Sequence, residues 1–268
     1  MKVDTLIFSK DRACQLDLLL ASFQNMATGI EKVTVIYKAT SDAFKQSYSN
    51  CKECHKSINF IEESNFKVNV FDWMQNSSSD FVMMLVDDIV FKEAIDFSNI
   101  TQILEKNKNI LCYSPRLGLH LTECYAMNSP QPVPTGNTQG DFFIWQWMNS
   151  QFDWNYMFSV DGHVFRKSEI YSWISHLNFS NPNTLEASMQ EIPKTFALQP
   201  LGFCHIVSRL LNIPMNRVQN TFINRCENIS HIELNDAYLE GNRLDSSQYQ
   251  GNLNRGCHAN LPALWRSK

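Results

Sequence analysis

Six apolar residues, Phe81-Val82-Met83-Met84-Leu85-Val86, run directly into Asp87-Asp88, and Ile89-Val90-Phe91 follow at once. An unbroken apolar run of this length, bounded upstream by Asn76-Ser77-Ser78-Ser79-Asp80, reads as a strand buried on both faces of a sheet. Asp87 and Asp88 then stand at its carboxyl end, which is where open α/β sheets bind ligands. Adjacent carboxylates on a rigid strand end repel each other. A divalent cation, held by hard oxygens and bridging to phosphates, offsets that repulsion. The plainer alternative is a turn in which one Asp caps a helix and the other is solvated.

The flanking sequence supplies the rest of an α/β pattern. Residues 3–8 read as a first strand ending at Ser9-Lys10-Asp11-Arg12, and Leu16, Leu19, Leu20 and Phe23 mark one face of a helix. Lys32-Val33-Thr34-Val35-Ile36-Tyr37 is a second strand, so the chain opens with a βαβ unit and the parallel sheet that implies. A helix is expected within residues 48–63, a short strand at Lys67-Val68-Asn69-Val70-Phe71, a turn and helix within 89–106, and a strand at Asn109-Ile110-Leu111-Cys112-Tyr113.

Three prolines make residues 128–136 irregular. The aromatic cluster Phe142, Phe143, Trp145, Trp147, Phe152, Trp154, Tyr156 and Phe158 fits either a core or a binding wall. Residues 158–166 read as two short strands around a turn at Asp161-Gly162, where glycine permits φ > 0 or a close approach to a ligand. Helices are expected at 168–176, at a Thr184-capped segment carrying Glu186, and at 233–240 before Gly241. The tail from Gly251 contains Cys257-His258 and ends with Leu261, Leu264 and Trp265, which suit packing back on the body.

With 268 residues, no internal repeat and no linker, the chain reads as a single domain, its halves near 1–125 and 126–268. A composition 44% hydrophobic and 19% charged supports a sizeable core and argues against disorder. A formal net charge of -4 argues against a dedicated nucleic-acid binder. No stretch approaches the roughly 20 apolar residues of a membrane span, and the N-terminus turns polar too soon for a signal peptide. A cytoplasmic protein follows, its eight cysteines reduced. Cys51-Lys52-Glu53-Cys54-His55 matches the c-type haem pattern and contains a zinc half-site. Haem attachment needs export, and a closed zinc site needs four ligands where no second Cys-x-x-Cys exists, so this segment is expected to be a polar surface helix or loop.

Taken together, the βαβ opening, the buried strand with its acid pair, the Asp-Gly turn, the helix-borne acid and the late histidine resemble the GT-A fold of nucleotide-sugar-dependent glycosyltransferases. Phe8-Ser9-Lys10-Asp11-Arg12, Leu85-Val86-Asp87-Asp88-Ile89-Val90-Phe91, Ser159-Val160-Asp161-Gly162 and Pro182-Asn183-Thr184-Leu185-Glu186 are similar to segments of small bacterial and viral-type members. Two departures stand out. Val86 occupies the place of the first Asp in the family's Asp-x-Asp motif, and Tyr37-Lys38 stands where many relatives carry a base-contacting acid.

The resemblance implies a Mn2+ or Mg2+ cofactor held by Asp88 and by His258, with His231 and His205 as competing choices for the histidine. It also implies a nucleotide-diphosphate sugar donor met by Ser9, Asp11, Arg12, Tyr37, Lys38, Asp87 and Gly162, and a hydroxyl acceptor. Glu186 is the expected catalytic base and Asp161 the alternative, consistent with an acceptor hydroxyl that must lose its proton as it attacks. Two other classes share this kind of architecture. A nucleotidyltransferase normally has a glycine-rich phosphate loop, absent from Ser9-Lys10-Asp11-Arg12, and a binding domain would retain the fold without the chemistry.

Overall fold

The computed structural model describes residues 1–191, 198–219, 225–227 and 229–267. Nine of its strands form one sheet. In chain order these are β1 (Val3–Lys10), β2 (Ile30–Lys38), β3 (Asn59–Glu62), β4 (Phe81–Val86), β5 (Ile110–Tyr113), β6 (Gly136–Gln139), β7 (Phe142–Gln146), β8 (Val164–Arg166) and β9 (Leu201–His205). Their spatial order is β6-β7-β9-β5-β8-β4-β1-β2-β3. β4, β1, β2 and β3 run parallel, as do β5 and β9, while β8 lies antiparallel between β5 and β4. The expected α/β architecture is therefore present, with a mixed sheet in which strands from before and after residue 125 interleave.

Among the described residues seven α-helices accompany it: α1 (Ala13–Met26), α2 (Asp42–Cys54), α3 (Phe66–Asn76), α4 (Phe97–Lys106), α5 (Lys167–Ile174), α6 (Pro182–Met189) and α7 (His231–Leu239). Two apolar clusters divide the core between the faces of the sheet, one built on α1, α4 and α7 and the other on α3, α5 and α6. The β4 run is buried from Phe81 to Leu85, contributing side chains to both clusters, as a continuous apolar strand should. No helix among the described residues is long and apolar enough to cross a membrane.

Several local expectations are corrected. Lys67 to Phe71 belongs to α3 rather than to a strand. Asn65 caps its N-terminus by accepting from the Val68 amide at 3.1 Å, and Val70, Trp73 and Met74 are buried at helical spacing while Val68 is exposed. The helix expected within 48–63 ends at Cys54, and Asn59–Glu62 then pairs with β2. The pair of strands expected at 158–166 is one, β8, preceded by bends. In the proline segment, Ser129–Pro130 forms a two-residue ladder with Glu123–Cys124.

The aromatic cluster is mostly core. Trp145, Trp147, Trp154 and Phe158 are fully buried, and the indole N–H groups of Trp145 and Trp147 donate to the carbonyls of Trp154 and Gln199. Phe152 and Tyr156 alone of the eight line the cavity described below. The Cys51 to His55 segment is the expected polar helix end only in part: Glu53 and Cys54 are exposed, but Cys51 is fully buried and His55 nearly so, because α2 packs against α1 and α7.

Candidate active site

Strand register delivers the first acids. Phe8 of β1 lies opposite Val86 of β4, so Ser9 and Asp87 come side by side just past the end of that ladder, with β1 still paired to β2 through Lys10. Ser9 Oγ donates to Asp87 Oδ2 at 2.8 Å, and the Lys10 amide donates to the same oxygen. Arg12 Nη1 reaches Asp87 Oδ1 at 2.9 Å, while Arg12 Nε donates to Asn216 Oδ1 at 2.9 Å. Asp87 is thus tied to β1 and Arg12, while the carboxyl of Asp88 beside it has, among the described residues, only a long contact, from Asn212 Nδ2 at 3.5 Å.

Asp88 carries a carboxyl pKa raised from 3.8 to about 7. Burial is the largest cause; Arg12 opposes it, and the neighbouring Asp87 and Asp161 reinforce it.

After Asp88 the chain turns into Ile89–Phe91, which pairs antiparallel with Leu210–Asn212 and sets Asn212 opposite Ile89. Asn212 then bridges to the tail: its amide donates to the Cys257 carbonyl, and the Ala259 amide donates to its own carbonyl. His258 is therefore positioned by main-chain bonds, and its ring stacks on Tyr125 at 5.6 Å between centroids. On the other flank the Gly162 amide donates to the Met84 carbonyl at 2.7 Å, which aligns Asp161 with the end of β4. His258 Nε2 lies 4.0 Å from Asp161 Oδ2.

Glu186 arrives on α6, which begins earlier than the expected Thr184 cap: Asn181 is the N-cap, Pro182 opens the helix, and Thr184 is the third helical residue, bonded reciprocally to Asn181. Its Oε1 accepts from Ser159 Oγ at 2.6 Å and from the Val160 amide at 3.1 Å. The carboxyl pKa of Glu186 is raised, first by burial and then by Asp161.

Arg116 was not anticipated from the sequence. Its buried guanidinium donates to Asp161 Oδ2 at 2.5 Å, to Ser159 Oγ at 3.1 Å and to Asp153 Oδ1 at 3.1 Å. A lone arginine after Ser114-Pro115 carries no local signal for this role, since its partners lie some forty residues away in sequence.

A cavity of about 890 Å³ joins these groups. Ser9, Arg12, Lys38, Asp87, Asp88, Asp161, Glu186 and His258 all line it, together with Arg116 and Tyr156.

Three expected donor contacts stand outside its lining. Asp11, at φ 54°, accepts from the Thr40 amide and hydroxyl and so holds the loop after β2. Tyr37 is buried against Tyr48, and its hydroxyl accepts from Lys52 at 2.8 Å. Gly162, at φ 92°, is needed where it stands because a Cβ there would come 2.5 Å from Leu210 Cδ1. The competing histidines are elsewhere as well: His205 Nδ1 bonds the Tyr113 hydroxyl at 2.6 Å, and His231 stacks on Phe44.

The acids and imidazole around Asp88 are a donor set that suits a hard divalent cation with one nitrogen ligand. Among the described residues, the one group whose ligand atoms already lie within 4.8 Å of one another is Asp17, Cys51 and His55, outside this lining.

No family model matches the sequence. It is 24% identical over 278 residues to a bifunctional glycosyltransferase, pgtA, of Dictyostelium discoideum, covering 91% of this chain and 36% of that protein. The chain is a relative of a glycosyltransferase. It spans about a third of that relative's length. Solved structures are more loosely similar. A mannosyltransferase from Pyrobaculum calidifontis, in complex with GDP-Man and Mn2+, has a TM-score of 0.41 at 10% identity, over 68% of this chain and 50% of its own. A cytidylyltransferase from Leptospira borgpetersenii has a TM-score of 0.43 at 12% identity, over 94% of this chain and 98% of its own.

Proposed function

We propose that this chain transfers a sugar from a nucleotide-diphosphate sugar to a hydroxyl acceptor, with Glu186 as catalytic base in an inverting reaction. The observation that carries the reading is the convergence of Asp88, Asp161, Glu186 and His258, from four separate segments, on one cavity. Relatedness to a glycosyltransferase over nearly the whole chain supports it.

In this reading Asp88 and His258 hold Mn2+ or Mg2+, which when bound neutralises the leaving diphosphate as a Lewis acid. Ser9, Arg12, Lys38 and Asp87 form the donor wall, and Asp11, Tyr37 and Gly162 act behind it by fixing the loops that carry it. Arg12 is a poor free cation for phosphate while paired with Asp87; Lys38, half exposed beside Glu63, is the freer one.

Glu186 suits the base. Two hydrogen bonds fix its Oε1, and burial makes its carboxylate a stronger proton acceptor than an exposed one. Asp161 is the weaker candidate, because Arg116 occupies its Oδ2. Its better role is to orient a sugar hydroxyl at the cavity wall. A single domain of cytoplasmic location completes the proposal, the interleaving of strands from both halves supporting the single body.

A thermal-shift panel of sugar nucleotides with and without Mn2+, followed by product analysis, tests the reading. A donor present at 100 times its Kd adds about 2.7 kcal/mol of stability, and turnover releases nucleoside diphosphate. Release of pyrophosphate would make the chain a nucleotidyltransferase, and binding with neither product would make it a binding domain.

A further inference from the structure

The Cys51-Lys52-Glu53-Cys54-His55 segment plays no part in the cavity, yet its functional side chains are gathered rather than dispersed. Cys51 Sγ, a His55 ring nitrogen and an Asp17 carboxylate oxygen lie within 4.8 Å of one another, all buried between α1 and α2. His55 Nε2 is 2.9 Å from Asp17 Oδ1, and His55 Nδ1 is 3.1 Å from Gln24 Oε1. Oxygens that accept therefore face both ring nitrogens. A neutral imidazole has one N–H and serves only one of them. In the tautomer that donates Nδ1–H to Gln24, the lone pair of Nε2 points at a carboxylate, an arrangement that a positive centre at that spot would satisfy.

A proton or a metal ion meets that requirement. The neighbouring sulfur favours the metal. Thiolate, imidazole and carboxylate together are the donor set of zinc, and a ligating histidine characteristically donates its other N–H to an oxygen acceptor, for which Gln24 Oε1 is in place 3.1 Å from Nδ1. Asp17 has matching support: Tyr238 Oη donates to its Oδ1 at 3.3 Å, and Arg243 Nε stands 3.8 Å from its Oδ2.

We propose that Asp17, Cys51 and His55 form a zinc-type metal site, separate from the cavity, that bolts α1 to α2. Binding forms a metal–sulfur bond as the Cys51 S–H bond breaks, with the proton released to solvent. His55 ligates through neutral Nε2 and Asp17 through its carboxylate. The three leave the fourth tetrahedral position to water or to Cys54, one turn along α2. The proposal is independent of the transferase reading.

Titration of metal-free protein with Co2+ tests it. One equivalent should develop a thiolate-to-cobalt charge-transfer absorption that Zn2+ then displaces. Asp88→Asn should leave this band unchanged, which separates it from a cation in the cavity, and Cys51→Ser should remove it. Gln24→Leu, on the exposed face of α1 and so safe for folding, should weaken Co2+ by 10- to 100-fold. Absence of the band in the parent protein, which would mean a protonated His55–Asp17 pair only, overturns the proposal. So does the same band in folded Cys51→Ser, or an unchanged Co2+ affinity in Gln24→Leu.

Discussion

Asp87 and Asp88 are neighbours with opposite fates. One is neutralised by Arg12 and spends both oxygens on β1 and the loop after it; the other is left in a crowded acidic wall. The difference has a measurable sign. A carboxyl whose folded pKa lies above its unfolded value contributes stability that is present at low pH and lost as pH rises through the folded value. For Asp88 that window runs from near its ordinary 3.8 up to about 7. Asp88→Asn, fixed in the neutral form, should therefore gain stability relative to the parent as pH is raised from about 5 to about 8 without metal, by denaturant titration at each pH. The same substitution should abolish Mn2+-dependent nucleoside-diphosphate binding; unchanged affinity would remove Asp88 from the metal site. Glu186→Gln keeps the shape and loses the basicity. Donor binding should persist while transfer falls about 10²-fold or more, and near-normal transfer would reduce Glu186 to a helix charge.

At the scale of elements, sequence was most informative where one strand or helix decides the matter. The β4 run with its acids, the first βαβ unit and the existence of the helix bearing Glu186 could all be read, because apolar continuity and periodicity are local signals, although that helix is capped by Asn181 and not by Thr184. Residues 67–71 could not, since Val68 and Val70 alternate as in a strand while Val70, Trp73 and Met74 share a helical face, and only packing separates the two. Arg116 and the burial of His55 were equally hidden, because they depend on partners distant in sequence. Gly162 was legible as a turn residue with φ > 0, and packing against Leu210 adds a second reason for it. Its φ of 92° costs an L-residue about 1–3 kcal/mol. Gly162→Ala adds a contact with Leu210 and should destabilise by at least that amount in a urea melt, displacing Asp161 from the end of β4.

Across the whole molecule, the C-terminal tail reaches the site already pinned. Buried Lys92 donates through Nζ to the Asn252 carbonyl and to Asn254 Oδ1, while Asn254 Nδ2 donates to the Gly256 carbonyl. The approach to His258 is thus braced from far outside the cavity. Lys92→Met takes the donor from one buried acceptor, Asn254 Oδ1, at a cost of about 1–3 kcal/mol, and from the part-buried Asn252 carbonyl. It should lower Mn2+ affinity in the presence of nucleotide without altering any residue of the cavity, as measured by calorimetric titration. His258→Ala should weaken Mn2+ similarly while barely changing the melting temperature of the free protein, because backbone bonds hold that stretch in place.

That last point makes position 258 a socket. The Asn212 ladder grips the peptide on either side of it, so whatever side chain is installed there is presented from nearly the same anchor, beside the same acids. Aspartate at 258 would offer a harder ligand and cysteine a softer one on an unchanged scaffold. The ionic preference of the site then becomes a one-codon property, adjustable without rebuilding the protein around it.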